Sequence, residues 1–286
     1  MPSSHFYISQ RLRLHYVDWG NEAAPLLLLV HGVRDHCRSW DWLAEELKGD
    51  FHVVAPDLRG HGDSAWAVGS SYGLLDYAYD IAQLLRQVPD ERLAILGHSL
   101  GGTISTLFGG IFPERLTHLV SLEGIGLWPG MYGRHGSEPT AHLRAWVDGV
   151  HGQSSRVPRR YPTLEEAYGR MQKTNPHLSP EQARHLTVHG VNRNEDGSYT
   201  WKFDNYNHVR PAYDVAMDDL IRTWEAITCP ALLLTADGGF PHRIGHPPTL
   251  DHFADAEHRV VEGAGHWVHH DQLETCLEHI REHLKR

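Results

Sequence analysis

The 286-residue sequence has little cysteine and lacks long apolar runs. Cys37, Cys229 and Cys276 are too few and too widely spaced for a disulfide framework or a thiolate metal site. No run of about 18 apolar residues is present, and the first residues show no basic region followed by an apolar one. We therefore expect neither a membrane span nor a secretory signal, and we expect a reducing cytoplasm as the compartment.

The sequence has fewer basic than acidic residues. Its 26 Lys and Arg and 36 Asp and Glu give a formal net charge of −10 at pH 7. A nucleic-acid-binding domain usually presents a basic surface, so we do not expect a nucleic acid as partner. Histidine, in contrast, is abundant at 24 residues. No H-E-x-x-H pattern places two histidines and an acid on one helix face, so we do not expect a metal site.

Continuous apolar runs predict a mainly parallel sheet. Leu26–Val30, Leu93–Leu96, Leu116–Leu122 and Ala231–Thr235 are typical of central strands that are buried on both faces. Segments of helical periodicity separate the earlier runs. This alternation of strand and helix predicts an α/β fold with helices on both faces of the sheet.

The last two of these runs are separated by about a hundred residues, which is too many for an ordinary connection. Four segments in this region have helical periodicity: Ala141–Val150, Leu164–Met171, Pro180–His189 and Tyr213–Trp224. We predict that residues 127–210 form a helical cap, inserted into a core of residues 1–126 and 211–286. The fourth segment is then the helix that returns to the core.

The most informative motif is Gly97-His98-Ser99-Leu100-Gly101, a G-x-S-x-G sequence. A strand pattern precedes it and small residues at helical spacing follow it, which predicts a strand, a sharp turn and a helix. The flanking glycines permit the strained backbone that lifts a side chain off the end of a sheet. Ser99 is therefore the candidate nucleophile.

A serine hydroxyl needs a base within hydrogen-bonding reach, and that base needs a carboxylate to orient it. Gly263-Ala264-Gly265-His266-Trp267 follows the last predicted strand, and its small residues favour a tight loop that displays a histidine. We therefore predict His266 as the base, the alternative being a surface histidine at a helix start. The candidate oxyanion donors are the N–H groups of Leu100, at a helix N-terminus, and of Val33, after the first central strand.

These segments together resemble the α/β-hydrolase superfamily. The similarity rests on the Ser99 motif, on His31-Gly32, on Asp57-Leu58-Arg59-Gly60-His61-Gly62-Asp63-Ser64 and on Gly265-His266-Trp267. It covers nearly all of the chain outside the predicted cap. The resemblance implies an eight-stranded, mostly parallel sheet, a helical lid after the sixth strand, and no cofactor.

The acid partner of the histidine departs from the commonest family pattern. The family usually carries it a few residues after the seventh strand, in a segment resembling Gly-x-x-Asp. Here that segment is Thr235-Ala236-Asp237-Gly238-Gly239, so Gly239 stands at the acid's place and Asp237 comes two residues early. Glu123 follows the sixth strand, as the acid does in some haloalkane dehalogenases and in the coelenterazine luciferases, which this segment resembles.

Both strand ends open onto one rim of the sheet, so either carboxylate can reach His266. We favour Glu123, because its longer side chain suits the more distant strand end, and we keep Asp237 as the alternative acid. If Asp237 is the acid, Glu123 caps the lid entrance or pairs with a base such as Arg34. If Glu123 is the acid, Asp237 stabilises the turn at Gly238-Gly239.

A serine nucleophile also limits the reaction. Epoxide hydrolases and dehalogenases of this fold need an aspartate there, whereas Ser99 forms an acyl-enzyme that water attacks with His266 as base. We predict a serine esterase whose partner is a small-molecule ester, of small to medium size and hydrophobic. The same residues suit a hydrolase of a carbon–carbon bond, lactone or thioester, and a non-catalytic ligand-binding protein of this fold is the further alternative.

Aromatic residues in loops near the rim are candidates for an apolar substrate pocket, with ordinary core packing as the alternative for each. They are Trp66, Trp128, Tyr132, Phe240 and Trp267. Arg34 follows the predicted oxyanion loop. It can pair with a substrate carboxylate, or it can form a salt bridge with Asp35 or another nearby acid.

Overall fold

The computed structural model describes residues 2–69, 72–88, 92–124, 140–209, 211–239 and 247–286. Its strands are β1 (Ser3–Ser9), β2 (Leu12–Asp18), β3 (Leu26–Val30), β4 (His52–Pro56), β5 (Leu93–His98), β6 (Leu116–Leu122), β7 (Val191–Arg193), β8 (Tyr199–Trp201), β9 (Ala231–Ala236) and β10 (Ala256–Val261). Eight of them form one sheet in the order β1-β2-β4-β3-β5-β6-β9-β10, and β7 and β8 pair as a separate antiparallel hairpin.

In the large sheet, β1 and β2 are antiparallel to their neighbours, and every pairing from β4 to β10 is parallel. The predicted eight-stranded, mostly parallel sheet is confirmed. Because the carboxyl ends of the parallel strands meet at one edge, the residues that follow β3, β5, β6, β9 and β10 are brought to the same rim.

Helices cover both faces of this sheet. The α-helices of the described ranges are α1 (Asp41–Leu47), α2 (Leu74–Leu84), α3 (Leu100–Ile111), α4 (Ala141–Ser154), α5 (Leu164–Thr174), α6 (Pro180–Gly190), α7 (Met217–Ala226), α8 (Pro247–Leu250), α9 (Val268–Asp271) and α10 (Leu273–His283), and of these α1, α2, α3, α7 and α10 pack on the sheet. None of the helices in the described ranges is both long enough and apolar enough to cross a membrane.

Successive side chains of the central strands point to opposite faces of the sheet and so form two hydrophobic cores. Leu26, Leu28 and Val30 of β3 pack into one core with α2, α3 and α7, whereas Leu27 and Leu29 pack into the other with α1 and α10. Successive side chains of a strand point to opposite faces, and all five of these residues have no exposed surface. The continuous apolar run of β3 is therefore explained by burial on both sides.

Between β6 and α7, residues 140–209 contain α4, α5, α6 and the β7–β8 hairpin, and we call them the inserted segment. The side chain of Ser179 accepts the N–H of Gln182, so α6 begins where the sequence predicted. The inserted segment also bonds to the loop after β3, where the Nε2–H of His36 donates to the carbonyl of Leu186 at 2.9 Å. The cap and core boundaries remain a prediction.

The returning helix was predicted from Tyr213, but α7 begins at Met217. The carboxylate of Asp214 accepts the N–H groups of Leu74 and Val215, so this residue closes the N-terminus of α2 instead of continuing a helix. Tyr213 is 78% exposed and has no core to pack against. The apolar periodicity therefore predicted a helix that begins one turn too early.

Candidate active site

Ser99 lies at a sharp turn between β5 and α3. Its backbone has φ +53° and ψ −116°, in the left-handed half of conformational space that non-glycine residues seldom adopt. The chain is very close to itself here: a Cβ at Gly97 would lie 2.2 Å from the carbonyl oxygen of Gly101, and one at Gly101 would lie 2.0 Å from that of Val30. The motif thus forms the predicted strand, turn and helix, because only glycine permits these approaches.

The loop after β3 lies against this turn, since a Cβ at Gly32 would be 3.1 Å from the Cβ of Ser99. The N–H of Leu58 donates to Nε2 of His31 at 3.0 Å, so the ring proton is on Nδ1, which donates to the carbonyl of Gly32 at 2.7 Å. Burial lowers the pKa of His31 to about 3 and keeps the ring neutral. Because the C=O and N–H of a trans peptide point in opposite directions, this anchor turns the Val33 N–H away from His31.

Glu123 and His266 are in contact, although they are 143 positions apart in the chain. Oε2 of Glu123 lies 3.3 Å from Nδ1 of His266, and Oε1 accepts the N–H of Ala236 at 2.9 Å. An ionised carboxylate only accepts hydrogen bonds, so Nδ1 of His266 carries the proton and Nε2 keeps its lone pair. That is the tautomer a general base requires.

The Glu123 carboxylate occupies the space beside Gly239, where the family usually has its acid. A Cβ at Gly239 would lie 2.5 Å from Oε1 and 2.6 Å from Oε2 of Glu123. The backbone of Glu123 has φ +51°, and its N–H still pairs with the carbonyl of Leu234 in β9 at 2.9 Å. A side chain at position 239 and the carboxylate of Glu123 therefore exclude each other.

Asp237, the alternative acid, is exposed and connects two loops. Its carboxylate accepts the N–H of Gly238 at 2.8 Å and of Ala264 at 3.2 Å. Hydrogen bonds from the backbone of Gly263 and Ala264 hold its pKa below the usual range. These contacts order the loops after β9 and β10.

His98, which the sequence reasoning passed over, connects the loop of His266 to the turn at Ser99. Its Nε2–H donates to the backbone carbonyl of His266 at 2.8 Å, and the two rings are 4.7 Å apart. The N–H of Gly265 also donates to the carboxylate of Asp271 at 2.7 Å. The signal available in the sequence was a polar residue at the variable position of the motif before Ser99.

A family model described as the alpha/beta hydrolase fold matches residues 25–273. The chain belongs to the α/β-hydrolase fold family. It is 27% identical to esterase Rv0045c of Mycobacterium tuberculosis over 92% of this chain and 83% of that protein. It is 36% identical to epoxide hydrolase 4 of Mus musculus, over 42% of this chain and 34% of that protein.

The thioesterase domain from the curacin biosynthetic pathway has the same fold, with a TM-score of 0.81 at 22% identity over 98% of this chain and 99% of that domain. The fold-family match and the hydrolases among the relatives support hydrolase activity for this chain.

A cavity of about 430 Å³ opens beside Val33 in this α/β-hydrolase fold. Aromatic residues of the inserted segment, Tyr161, Trp201 and Phe203, line it together with Trp267. The indole N–H of Trp201 donates to the hydroxyl of Tyr161 at 3.2 Å, and the rings of Trp201 and Phe203 stack at 6.3 Å. This wall is apolar and held in place by its own contacts.

Of the five aromatic residues predicted for a pocket, Trp267 lines this cavity. Trp66 is not among the described lining residues, and its indole N–H lies 3.4 Å from the carbonyl of Lys202. Trp128, Tyr132 and Phe240 lie outside the described residues. The sequence reasoning missed Tyr161, Trp201 and Phe203, because no motif distinguishes them from ordinary packing residues.

Three arginines line the same cavity: Arg34, Arg159 and Arg170. No Asp or Glu is among its described lining residues, and no ion pair to a carboxylate is formed by any of the three within the described ranges. The Arg34–Asp35 salt bridge considered from the sequence is therefore not found there. The Asp35 carboxylate accepts the N–H of His36 at 2.9 Å instead.

His15, Cys37 and Asp57 form a buried group of metal-ligand types. The carboxylate of Asp57 already accepts the N–H of Cys37 at 2.7 Å and of Asp63 at 2.8 Å, and lies 2.7 Å from Nδ1 of His15. Burial raises the pKa of the Cys37 thiol well above its usual range. A protonated thiol and an engaged carboxylate are poor ligands, so this group orders the loop after β4.

Asp41, His185 and His189 form a second such group. The guanidinium of Arg38 donates to both carboxylate oxygens of Asp41, at 2.8 Å and 2.6 Å. A cation in this position opposes a bound metal ion.

Proposed function

We propose that this chain is a serine hydrolase of carboxylic esters, with Ser99 as nucleophile, His266 as base and Glu123 as the acid that orients the base. The main support is the contact between Glu123 and His266, because it leaves Nε2 of the histidine able to accept a proton. Further support comes from the esterase among the relatives.

In the proposed reaction, Nε2 of His266 takes the proton of the Ser99 hydroxyl as Oγ attacks the ester carbonyl carbon. The N–H groups of Val33 and Leu100 stabilise the negative oxygen of the tetrahedral intermediate, and Leu100 benefits from its place at the N-terminus of α3. His266 then gives the proton to the departing alcohol. Water attacks the acyl-enzyme with His266 as base, which releases the carboxylic acid and restores Ser99.

Epoxide hydrolysis is a less suitable reaction for this site, although an epoxide hydrolase is among the relatives. That reaction proceeds through an alkyl-enzyme ester, which requires a carboxylate nucleophile. Serine stands at the turn between β5 and α3, and its alkoxide leads to an acyl-enzyme. Esters, lactones and thioesters all suit that chemistry.

We propose that residues 127–210 act as a cap over the site, on a core of residues 1–126 and 211–286. The cavity supports this division, because Val33 and Trp267 of the core and Tyr161 and Phe203 of the inserted segment line it together. Trp267 is accordingly the proposed aromatic contact for a hydrophobic substrate. Trp66, Trp128, Tyr132 and Phe240 stay proposals on sequence grounds. The free thiols of all three cysteines fit a reducing, cytoplasmic location.

The test is covalent labelling of the native protein with a fluorophosphonate, read by intact mass and peptide mapping, with Ser99→Ala as the matched control. We expect one adduct, on Ser99, that is absent from the variant, and hydrolysis of a panel of 4-nitrophenyl esters. A folded protein that forms no adduct and cleaves no ester would overturn the proposal in favour of a non-catalytic ligand-binding protein. Cleavage of only lactones, thioesters or carbon–carbon bonds would keep the triad and change the substrate.

A further inference from the structure

We propose that the substrate carries a carboxylate in addition to the bond that is cleaved, and that this carboxylate binds among Arg34, Arg159 and Arg170. The inference rests on the proposed ester hydrolysis and names the class of ester. It starts from the composition of the cavity beside Val33, where three cations and no described acid line one space.

This concentration of positive charge runs against the charge of the whole chain, which is −10 at pH 7. Arginines elsewhere in the described part do pair with acids, for example Arg59 with Asp80 and Arg184 with Glu165. The cavity arginines come from three places, the loop after β3, the stretch after α4 and helix α5. Their convergence without a matching acid produces a local positive potential that an anion would neutralise.

Arg34 is the most constrained of the three. Its backbone has φ +61°, a left-handed conformation that is unfavourable for a non-glycine residue. Arg34 remains exposed to solvent, and its partial burial lowers its pKa without a carboxylate that offsets this effect. Arg34 directly follows Val33, so the cation and the proposed oxyanion donor belong to one loop.

Aromatic rings support two of the guanidinium groups. The guanidinium carbon of Arg34 is 5.3 Å from the ring of Phe203, and that of Arg159 is 5.1 Å from the ring of Tyr161. Contact with the face of a ring leaves the N–H donors in the guanidinium plane available. The planar fork of such a group matches the two oxygens of a carboxylate.

The experiment compares kcat/KM for matched anionic and neutral esters. One pair places the carboxylate in the acyl half, mono-4-nitrophenyl glutarate against 4-nitrophenyl valerate. The other places it in the alcohol half, 4-acetoxybenzoate against 4-acetoxybenzamide. We expect the anionic ester of at least one pair to be preferred by about ten- to a hundredfold, and the preference to fall as salt is added.

Arg159→Gln and Arg170→Gln should each reduce this preference by about tenfold, and Arg170→Lys should restore part of it. Arg160→Gln is the matched control, because Arg160 pairs with Asp196 at 2.7 Å and is not a lining residue. Equal kcat/KM within both pairs, or a preference that survives the loss of both arginines, would overturn the inference and leave the esterase proposal intact.

A binding measurement separates the two proposals. Calorimetry of glutarate with Ser99→Ala reports the anion site without any turnover. If no ester is cleaved but glutarate binds and Arg170→Gln abolishes binding, the anion site stands and the esterase proposal fails. If glutarate does not bind better than the neutral glutaramide, the anion site is refuted.

Discussion

Replacing Glu123 by Gln should remove most of the activity while preserving the fold. Glutamine has the same size, and its carbonyl oxygen can still accept the N–H of Ala236, as Oε1 of Glu123 does at 2.9 Å. Its amide NH2 would then face Nδ1 of His266 in place of a carboxylate oxygen. A donor there requires Nδ1 to accept, which moves the ring proton to Nε2 and leaves no base for Ser99.

In serine triads the wrong tautomer costs about 10⁴-fold in kcat, which corresponds to about 5 kcal/mol of transition-state free energy. We expect a loss of that order with Glu123→Gln, measured as kcat on a 4-nitrophenyl ester. The melting temperature should change little, because the part-buried N–H of Ala236 keeps an acceptor. Asp237→Asn is the control and should stay within a few-fold of the native enzyme, since Asp237 is exposed and contacts backbone N–H groups.

The reverse pattern would refute this reasoning. A Glu123→Gln enzyme within tenfold of the native kcat, together with a loss of several orders of magnitude in Asp237→Asn, would assign the acid to Asp237. Equal losses in both variants, with lowered melting temperatures, would show that both carboxylates mainly order the loops.

Two further predictions concern the space beside Gly239 and the protonation of buried histidines. Gly239→Ala should lower kcat by at least a hundredfold and stability by about 1–3 kcal/mol, because the added Cβ would lie 2.5 Å from Oε1 of Glu123 and must displace it. Gly169→Ala is its control, since a Cβ there meets nothing within 4 Å, and native activity in Gly239→Ala would contradict the packing argument. Burial lowers the pKa of His31, His61 and His270 to about 3, 4 and 3, from the 6.5 of an unperturbed histidine. Below pH 6.5 the unfolded chain therefore binds more protons than the folded one. The free energy of unfolding is highest above that pH and decreases as the pH falls towards about 4, by about 1.4 kcal/mol per pH unit for each histidine. Urea unfolding at pH 7, 6 and 5 measures this loss, and a constant free energy of unfolding would contradict it.

Local sequence was enough for the features that depend on neighbouring residues. The turn at Ser99 follows from glycines within two positions on either side, and the buried strand β3 follows from a continuous apolar run. The parallel sheet follows from the alternation of such runs with helices. The return helix was misplaced at Tyr213, because the acceptor role of Asp214 depends on Leu74, far away in the chain.

The contact between Glu123 and His266 and the composition of the cavity depended on tertiary structure. The sequence predicted that Glu123 and Asp237 lie at the same rim and favoured Glu123, with Asp237 kept as the alternative because both follow strand ends that face His266. The structure directs Glu123 into the space that Gly239 leaves open, and engages Asp237 with the backbone at Gly263 and Ala264. The cavity arginines come from separate segments, and only the packing of the inserted segment against the loop after β3 brings their charges together. Adjacent residues determine local conformation. Contacts between distant side chains depend instead on which strand ends are neighbours in the sheet, and on positions such as Gly239 where the lack of a side chain leaves space for another residue.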